Sequence, residues 1–307
     1  MKIFYGMEGL PDGAAPAAAT IGNFYAVHRG HQALIERVLA LAEQHSAKST
    51  VVTFEPHPQM VLRGQAPDLL ITAETKIELL AAAGIEQLWI LPFTREFSLI
   101  EPEEFIQSLL VGRLNLNSVV VGGNFRFGHL ARGNVRMLRS FGQRFRFEVQ
   151  SPRLRKVQGR TVSSTAVRHA LKQGDLEWAN QALGRAYCLA GSVVRGAGRG
   201  EAIGYPTANL LPEYSLCVPG PGIYAGHVLT GGGRMVAAMS IGSNPTFGEG
   251  EESVEAYILD FDGDLYGREA EFEFNHRIRD HIQFQTPADL TEAISEDVAQ
   301  VRRFEAR

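Results

Sequence analysis

The sequence predicts two domains of different class: an α/β half built on a parallel sheet, then an antiparallel β-barrel or sandwich that ends in one helix. Three observations carry this. Apolar runs and helical patterns alternate as far as Leu183, which argues for parallel strands covered on both faces. Beyond Gly184, short strand-like runs follow at close spacing, separated by Gly, Pro and Asn clusters, as in antiparallel barrels and sandwiches. The length of 307 residues exceeds one ordinary core and suits two domains.

In the first half, Ala19-Thr20-Ile21-Gly22 closes a short apolar stretch. Residues 32–43 read as a helix, with Leu34, Ile35, Val38, Leu39 and Ala42 on one face. Residues 49–54, 87–92 and 118–121 read as strands. Residues 75–83 read as a helix that stops at Gly84, and 102–110 as another, with Pro102 suited to a first turn. Residues 165–183 read as one continuous helix, which places the domain boundary at Gly184 and gives domains 1–184 and 185–307. The strands expected after it are 189–195, 222–229, 235–241, 253–259 and 269–274, with Gly231-Gly232-Gly233 as a hairpin tip. Residues 287–303 read as one amphipathic helix.

Composition narrows the function classes. Hydrophobic residues make up 45% and charged residues 21%, which is the globular range. No apolar run approaches the roughly 18 residues of a membrane helix, and Met1-Lys2-Ile3-Phe4-Tyr5 lacks a signal core. Cys188 and Cys217 read as structural thiols, so a cytoplasmic location is expected. A net charge of −4 with no basic block makes neither nucleic acid nor a membrane surface an expected partner. Anionic small molecules must then be held by a few placed groups and backbone N–H donors. Oligomeric state is left open.

Four motifs of the first half carry chemistry. Gly22-Asn23-Phe24-Tyr25-Ala26-Val27-His28-Arg29-Gly30-His31 sits where the first strand gives way to the first helix. A helix N-terminus attracts phosphate through its free N–H groups and dipole. His28 and His31 add donors there, and Gly30 allows close approach of a ligand. Ser163-Ser164-Thr165 reads as an N-cap, and Arg168, one turn in, has the reach to grip a polyphosphate. Phe54-Glu55-Pro56-His57-Pro58 and Gly122-Gly123-Asn124-Phe125-Arg126-Phe127-Gly128 lie between them. In the second half, Gly204-Tyr205-Pro206-Thr207-Ala208-Asn209 follows a Gly-rich stretch, Arg195-Gly196-Ala197-Gly198-Arg199-Gly200, able to cradle phosphate. Thr207 and Asn209 offer hard oxygens on one side of an extended segment, which suit magnesium. Glu255 alternates with apolar Val254, Ala256 and Ile258 along a strand and is the candidate general base.

Taken in order over essentially the whole chain, these motifs resemble the prokaryotic bifunctional riboflavin kinase/FAD synthetase family. To them are added Leu183-Gly184, Gly242-Ser243-Asn244-Pro245-Thr246-Phe247, Asp260–Gly267 and Arg277-Ile278-Arg279-Asp280. The resemblance implies a Rossmann-like nucleotidyltransferase domain with a parallel sheet, which adenylylates FMN to FAD. It also implies a C-terminal antiparallel β-barrel riboflavin kinase domain with a terminal helix. It assigns His28, His31 and Arg168 to ATP phosphates, with Gly22, Asn23, Phe24, Gly30, Ser163, Ser164 and Thr165 around them. It places flavin near Phe54, Pro56, His57, Asn124 and Phe127. Thr207 and Asn209, with Gly204 and Pro206, are to hold Mg2+ and ATP, while Glu255 deprotonates the ribityl 5′-hydroxyl of riboflavin.

Two departures qualify it. Tyr25-Ala26 stands where relatives carry Asp-Gly, and is expected to obstruct the nucleotide turn and weaken FMN adenylylation. Glu201 stands where relatives often carry a basic residue, and is expected to raise the Michaelis constant for ATP. The alternatives weighed are a riboflavin kinase with a degenerate transferase domain and a non-catalytic flavin- or nucleotide-binding regulator.

Overall fold

The computed structural model describes residues 1–10, 13–196, 199–213, 215–243, 252–282, 284 and 286–306. Ala197-Gly198 of the Gly-rich stretch and Asn244-Pro245-Thr246-Phe247 lie outside the described residues. The chain forms two compact units. The first comprises Met1–Pro67 with Ala73–Val162, and the second Asp68–Thr72 with Ser163–Arg307. The helices between Ser163 and the expected boundary at Gly184 therefore belong with the barrel by their contacts.

The first unit is a parallel sheet. Strands β1 (Lys2–Tyr5), β2 (Ala17–Ile21), β3 (Lys48–Glu55), β4 (Gln87–Pro92) and β5 (Leu116–Val120) are joined by an edge strand, Glu148–Gln150. Their spatial order is β1-β4-β3-β2-β5-edge. Every residue of β2 is buried, as a central strand covered on both faces requires. Around the sheet lie α1 (Arg29–Gln44), the short α2 (Pro58–Arg63) and α3 (Ala73–Ala82). The chain builds one way from β2 to β3 and β4, and the other way from β5, so the loops leaving β2 and β5 face a topological switch point. Three details differ from expectation. The helix expected at 102–110 is a three-residue α-turn, Pro102–Glu104, running into a π-helix, Phe105–Arg113. Strand β1 and the helix Val135–Phe145 were not foreseen.

The second unit is a closed six-stranded antiparallel barrel. Its strands in spatial order are Tyr187–Val194, Ala208–Pro212, Glu252–Ile258, Gly233–Ser243, Gly222–Thr230 and Glu269–Arg279. Burial alternates strictly along Tyr187–Val194, so each strand sends one face inward. Tyr224, Phe272 and Phe274 fill the interior. The expected helix 165–183 is two helices, Ser164–Lys172 and Leu176–Leu183. They are separated at Gly174, which takes a left-handed backbone (φ 73°), and Asp175 caps the second through the Trp178 N–H. Asn180 holds that helix to the barrel, donating to the Phe274 carbonyl at 2.8 Å and accepting the Tyr187 N–H at 2.8 Å. The terminal helix, Pro287–Glu305, is anchored by a two-pronged pair, Arg279 Nε to Asp297 Oδ1 at 2.9 Å and Nη2 to Oδ2 at 2.6 Å.

Candidate functional site

The first unit gathers one group of candidates at the carboxyl ends of β2 and β3. These are neighbouring parallel strands, so their outgoing turns leave the same sheet edge. Helix α1 starts three residues earlier than its apolar periodicity suggests, because His28 caps it: the His28 Nδ1 accepts the His31 N–H at 3.1 Å. That acceptor role leaves the His28 Nε2 to carry the proton of the neutral ring. The two imidazoles stack with centroids 3.7 Å apart, and Phe24 backs His31 at 4.7 Å. Phe24 is itself buried, so it supports the histidines from within. A Cβ on Gly30 would lie 3.0 Å from the His28 ring, so glycine permits this packing.

The turn after β3 is tied to the turn after β2. Thr53 Oγ1 donates to the Asn23 carbonyl at 3.1 Å, and the Asn23 side-chain amide meets His57 Nε2 at 3.3 Å. His57 also caps α2, accepting the Gln59 N–H at 3.2 Å. Pro56 follows Glu55 through a cis peptide bond. Phe54 is half-buried, edge-on to Phe93 at 5.8 Å. On the other side of β2, the loop Gly122-Gly123-Asn124 follows β5, and Phe127 stacks on Phe125 at 5.4 Å and meets Phe105 at 5.5 Å.

The suspected obstruction at Tyr25-Ala26 takes a different form. Tyr25 is 4% exposed, and its hydroxyl donates to Glu55 Oε2 while the Lys76 ammonium lies over its ring. Burial, reinforced by the Glu55 carboxylate, drives the phenol pKa well above its ordinary value. Ala26 is fully buried, and the left-handed backbone of this turn falls on Phe24 (φ 54°) and Val27 (φ 41°), so the methyl of Ala26 meets no such strain. Lys76 escaped sequence reasoning. The available signal was its place four residues before Leu80 on the buried stripe of α3.

In the second unit, Ser163 caps its helix by accepting the Ala166 N–H at 3.2 Å, with Ser164 and Thr165 in the first turn. Arg168 Nε donates to the Asp68 carbonyl at 2.6 Å, and burial lowers the pKa of its guanidinium. The barrel assembles the other group. Asn209 and Glu255 are cross-strand partners on adjacent strands, and Glu255 also faces Ser240. Thr207 Oγ1 donates to Glu255 Oε2 at 3.1 Å. Asn209 is 4% exposed, and its Oδ1 meets no hydrogen-bond donor among the described residues. A Cβ on Gly196 would lie 2.3 Å from the Asn209 amide nitrogen, so the Gly-rich segment packs directly on this cluster. Gly204 and Pro206 lead into it, and Glu201 is exposed. Both cysteines are free thiols.

A parallel-sheet unit with a histidine pair at a helix start, and a barrel unit with a Thr–Asn–Glu cluster, define a two-part phosphate-transfer protein. The family model for FAD synthetase matches residues 11–166, and that for riboflavin kinase matches residues 183–305. A bifunctional riboflavin kinase/FMN adenylyltransferase of Listeria monocytogenes is 34% identical over 94% of this chain and 92% of its own. That of Escherichia coli K12 is 33% identical over 99% and 98%. A solved structure described as a macrolide-efflux protein from Streptococcus pneumoniae superposes with a TM-score of 0.88 at 28% identity, covering 98% of this chain and 99% of its own. Among the described residues here, no helix is long and apolar enough to cross a membrane. The chain belongs to the bifunctional riboflavin kinase/FMN adenylyltransferase family.

Proposed function

We propose that the barrel unit phosphorylates riboflavin to FMN with ATP, and that the parallel-sheet unit adenylylates FMN to FAD. The observation that carries the reading is the barrel cluster, where a carboxylate, a hydroxyl and a buried amide oxygen with no donor among the described residues converge. Glu255 accepts the proton of the ribityl hydroxyl as its oxygen attacks the γ-phosphorus of ATP, and ADP leaves. Thr207 Oγ1 and Asn209 Oδ1 fit a magnesium ion, since both are hard neutral oxygens and the second has no donor among the described residues. Bound there, the ion would neutralise phosphate charge. The activity boundary proposed is Gly184, with transferase function assigned to 1–184 and kinase function to 185–307.

In the transferase, the FMN phosphate attacks the α-phosphorus of ATP and pyrophosphate leaves. The nucleophile is already an anion, so alignment and charge stabilisation carry the step without a general base. His28 and His31, with the N–H groups of α1, are assigned to the phosphates. Phe54, Pro56, His57, Asn124 and Phe127 are assigned to the flavin side, and Gly22, Asn23, Phe24, Gly30 and Ser163 to Arg168 to the nucleotide. A cytoplasmic setting, where both thiols stay reduced, belongs to the same reading. Incubation with riboflavin, ATP and magnesium, followed by chromatography, tests it. FMN and FAD together are expected. FMN alone would reduce the chain to a kinase, and neither product would make it a binding protein.

A further inference from the structure

A buried cation of the first unit is unused by the functions above. Lys76 projects from α3 with a side chain 1% exposed, and lysine is almost never so buried without a partner. Its Nζ lies 3.5 Å from Glu55 Oε2 and 3.8 Å from the centroid of the Tyr25 ring. It finds no hydrogen-bond acceptor among the described residues, although an ammonium has three N–H groups to place. The Tyr25 hydroxyl donates to the same Glu55 oxygen. One cation, one carboxylate and one phenol thus close on each other, with Glu74 a further negative charge nearby. Burial lowers the pKa of Lys76, and the charge of Glu55 opposes that.

Packing alone does not call for this cluster. Apolar side chains of similar volume in place of a buried ion pair are often neutral or stabilising. What an apolar residue at 76 lacks is a hold on two separate turns. Tyr25 belongs to the turn between β2 and α1, three residues before the cap His28. Glu55 ends β3 and opens the Glu55-Pro56-His57 turn. The Tyr25 and His57 rings are 5.8 Å apart, and Asn23 reaches His57 at 3.3 Å, so the two turns meet at one sheet edge. Lys76 contacts both from α3. Tyr25 suits the arrangement. Its ring face receives the ammonium and its hydroxyl supports Glu55, where a second carboxylate would repel Glu55.

We propose that Lys76 is a positioning residue of the transferase: acting through Tyr25 and Glu55, it sets the spacing between the histidine-bearing turn and the flavin-side turn. It touches neither substrate in this role. The inference rests on the assignment of FMN adenylylation to the first unit, and it names the residue that aligns the two reactants there. A displacement of about 1 Å between such groups costs roughly 10²-fold in rate.

The test uses the full-length chain and the unbranched, apolar substitution Lys76→Met. The kcat/KM for FMN in FAD synthesis is expected to fall about 10²-fold, with the KM for ATP unchanged and riboflavin phosphorylation untouched. Tyr25→Phe, which keeps the ring and removes one hydrogen bond, is expected to show a smaller loss of the same kind, and carries the test if Lys76→Met does not fold. Wild-type kcat/KM for FMN in both variants would overturn the proposal. So would a lowered unfolding temperature accompanied by equal losses for FMN and ATP, since that pattern belongs to packing. A wild-type chain that makes FMN but no FAD would instead overturn the function on which the proposal rests.

Discussion

Glu255, the proposed base of the kinase site, is held between Asn209 and Ser240 across the barrel strands and bonded by Thr207. Glu255→Gln keeps the shape and most of the bonding but cannot take a proton. FMN formation is expected to fall by about 10²–10⁴-fold, with an unchanged unfolding curve; wild-type turnover in a riboflavin phosphorylation assay would remove Glu255 from its role. The thiols give a second residue-scale expectation. Burial pushes Cys188 up to about 12 and Cys217 up to about 11, from an ordinary value of 9.0. The folded chain therefore holds these protons where the unfolded chain has released them, so this contribution to stability is whole below pH 9 and declines as the pH climbs toward 11. Unfolding temperature measured across that range is expected to fall, and to fall less steeply for Cys217→Ala. A thiol reagent at pH 8 is expected to react slowly with the folded chain and with both cysteines in urea.

Among the elements, the terminal helix is held to the barrel by apolar packing and ion pairs. Val301 is buried against the barrel, and the Arg279–Asp297 fork pins the middle of the helix to the strand Glu269–Arg279. Asp297 is 4% exposed, so removing it takes two acceptors from the Arg279 guanidinium and leaves it the Asp280 carbonyl alone among those bonds. Asp297→Ala is expected to cost about 2 kcal/mol, read as a lower urea midpoint of the barrel unit, while FAD synthesis from supplied FMN is unaffected. Residues 165–183 read as one helix in sequence because their apolar positions keep a helical period through the break. The left-handed Gly174 and the cap at Asp175 end one helix and begin the next, and both residue types are visible signals for such a break.

At the scale of the whole molecule, the proposed activity boundary and the compact units divide the chain at different places. The proposed activity boundary lies at Gly184, yet the helices before it bond to the barrel. Asn180 reaches Phe274 and Tyr187, and Gly220 N–H donates to the Leu171 carbonyl at 2.9 Å. The segment Asp68–Thr72 joins the same unit, Leu69 pairing with Ser215 and Cys217 through the backbone. A fragment starting at Ser163 is therefore expected to melt at a higher temperature than one starting at Arg185, with both phosphorylating riboflavin. Calorimetry and chromatographic assay of the two fragments check this; equal melting would show that the helix pair adds nothing to the barrel.

The sequence by itself determined the two fold classes, because hydrophobic periodicity is written locally: period two along the barrel strands, 3.6 along α1, and continuous apolar runs in β2 to β5. It also determined which motifs to watch, since His28, His31, His57, Thr207, Asn209 and Glu255 belong to short patterns in a fixed order. Strand order, the closing of the barrel, and the pairing of Asn209 with Glu255 across 46 positions of chain depend on long-range registers that no local window contains. Lys76 shows the limit most clearly. In sequence it is one lysine on an amphipathic helix, of the type that usually lies in water. Only tertiary packing brings Tyr25, Glu55 and α3 together, 30 and 21 residues apart along the chain, and turns that side chain into a buried charge.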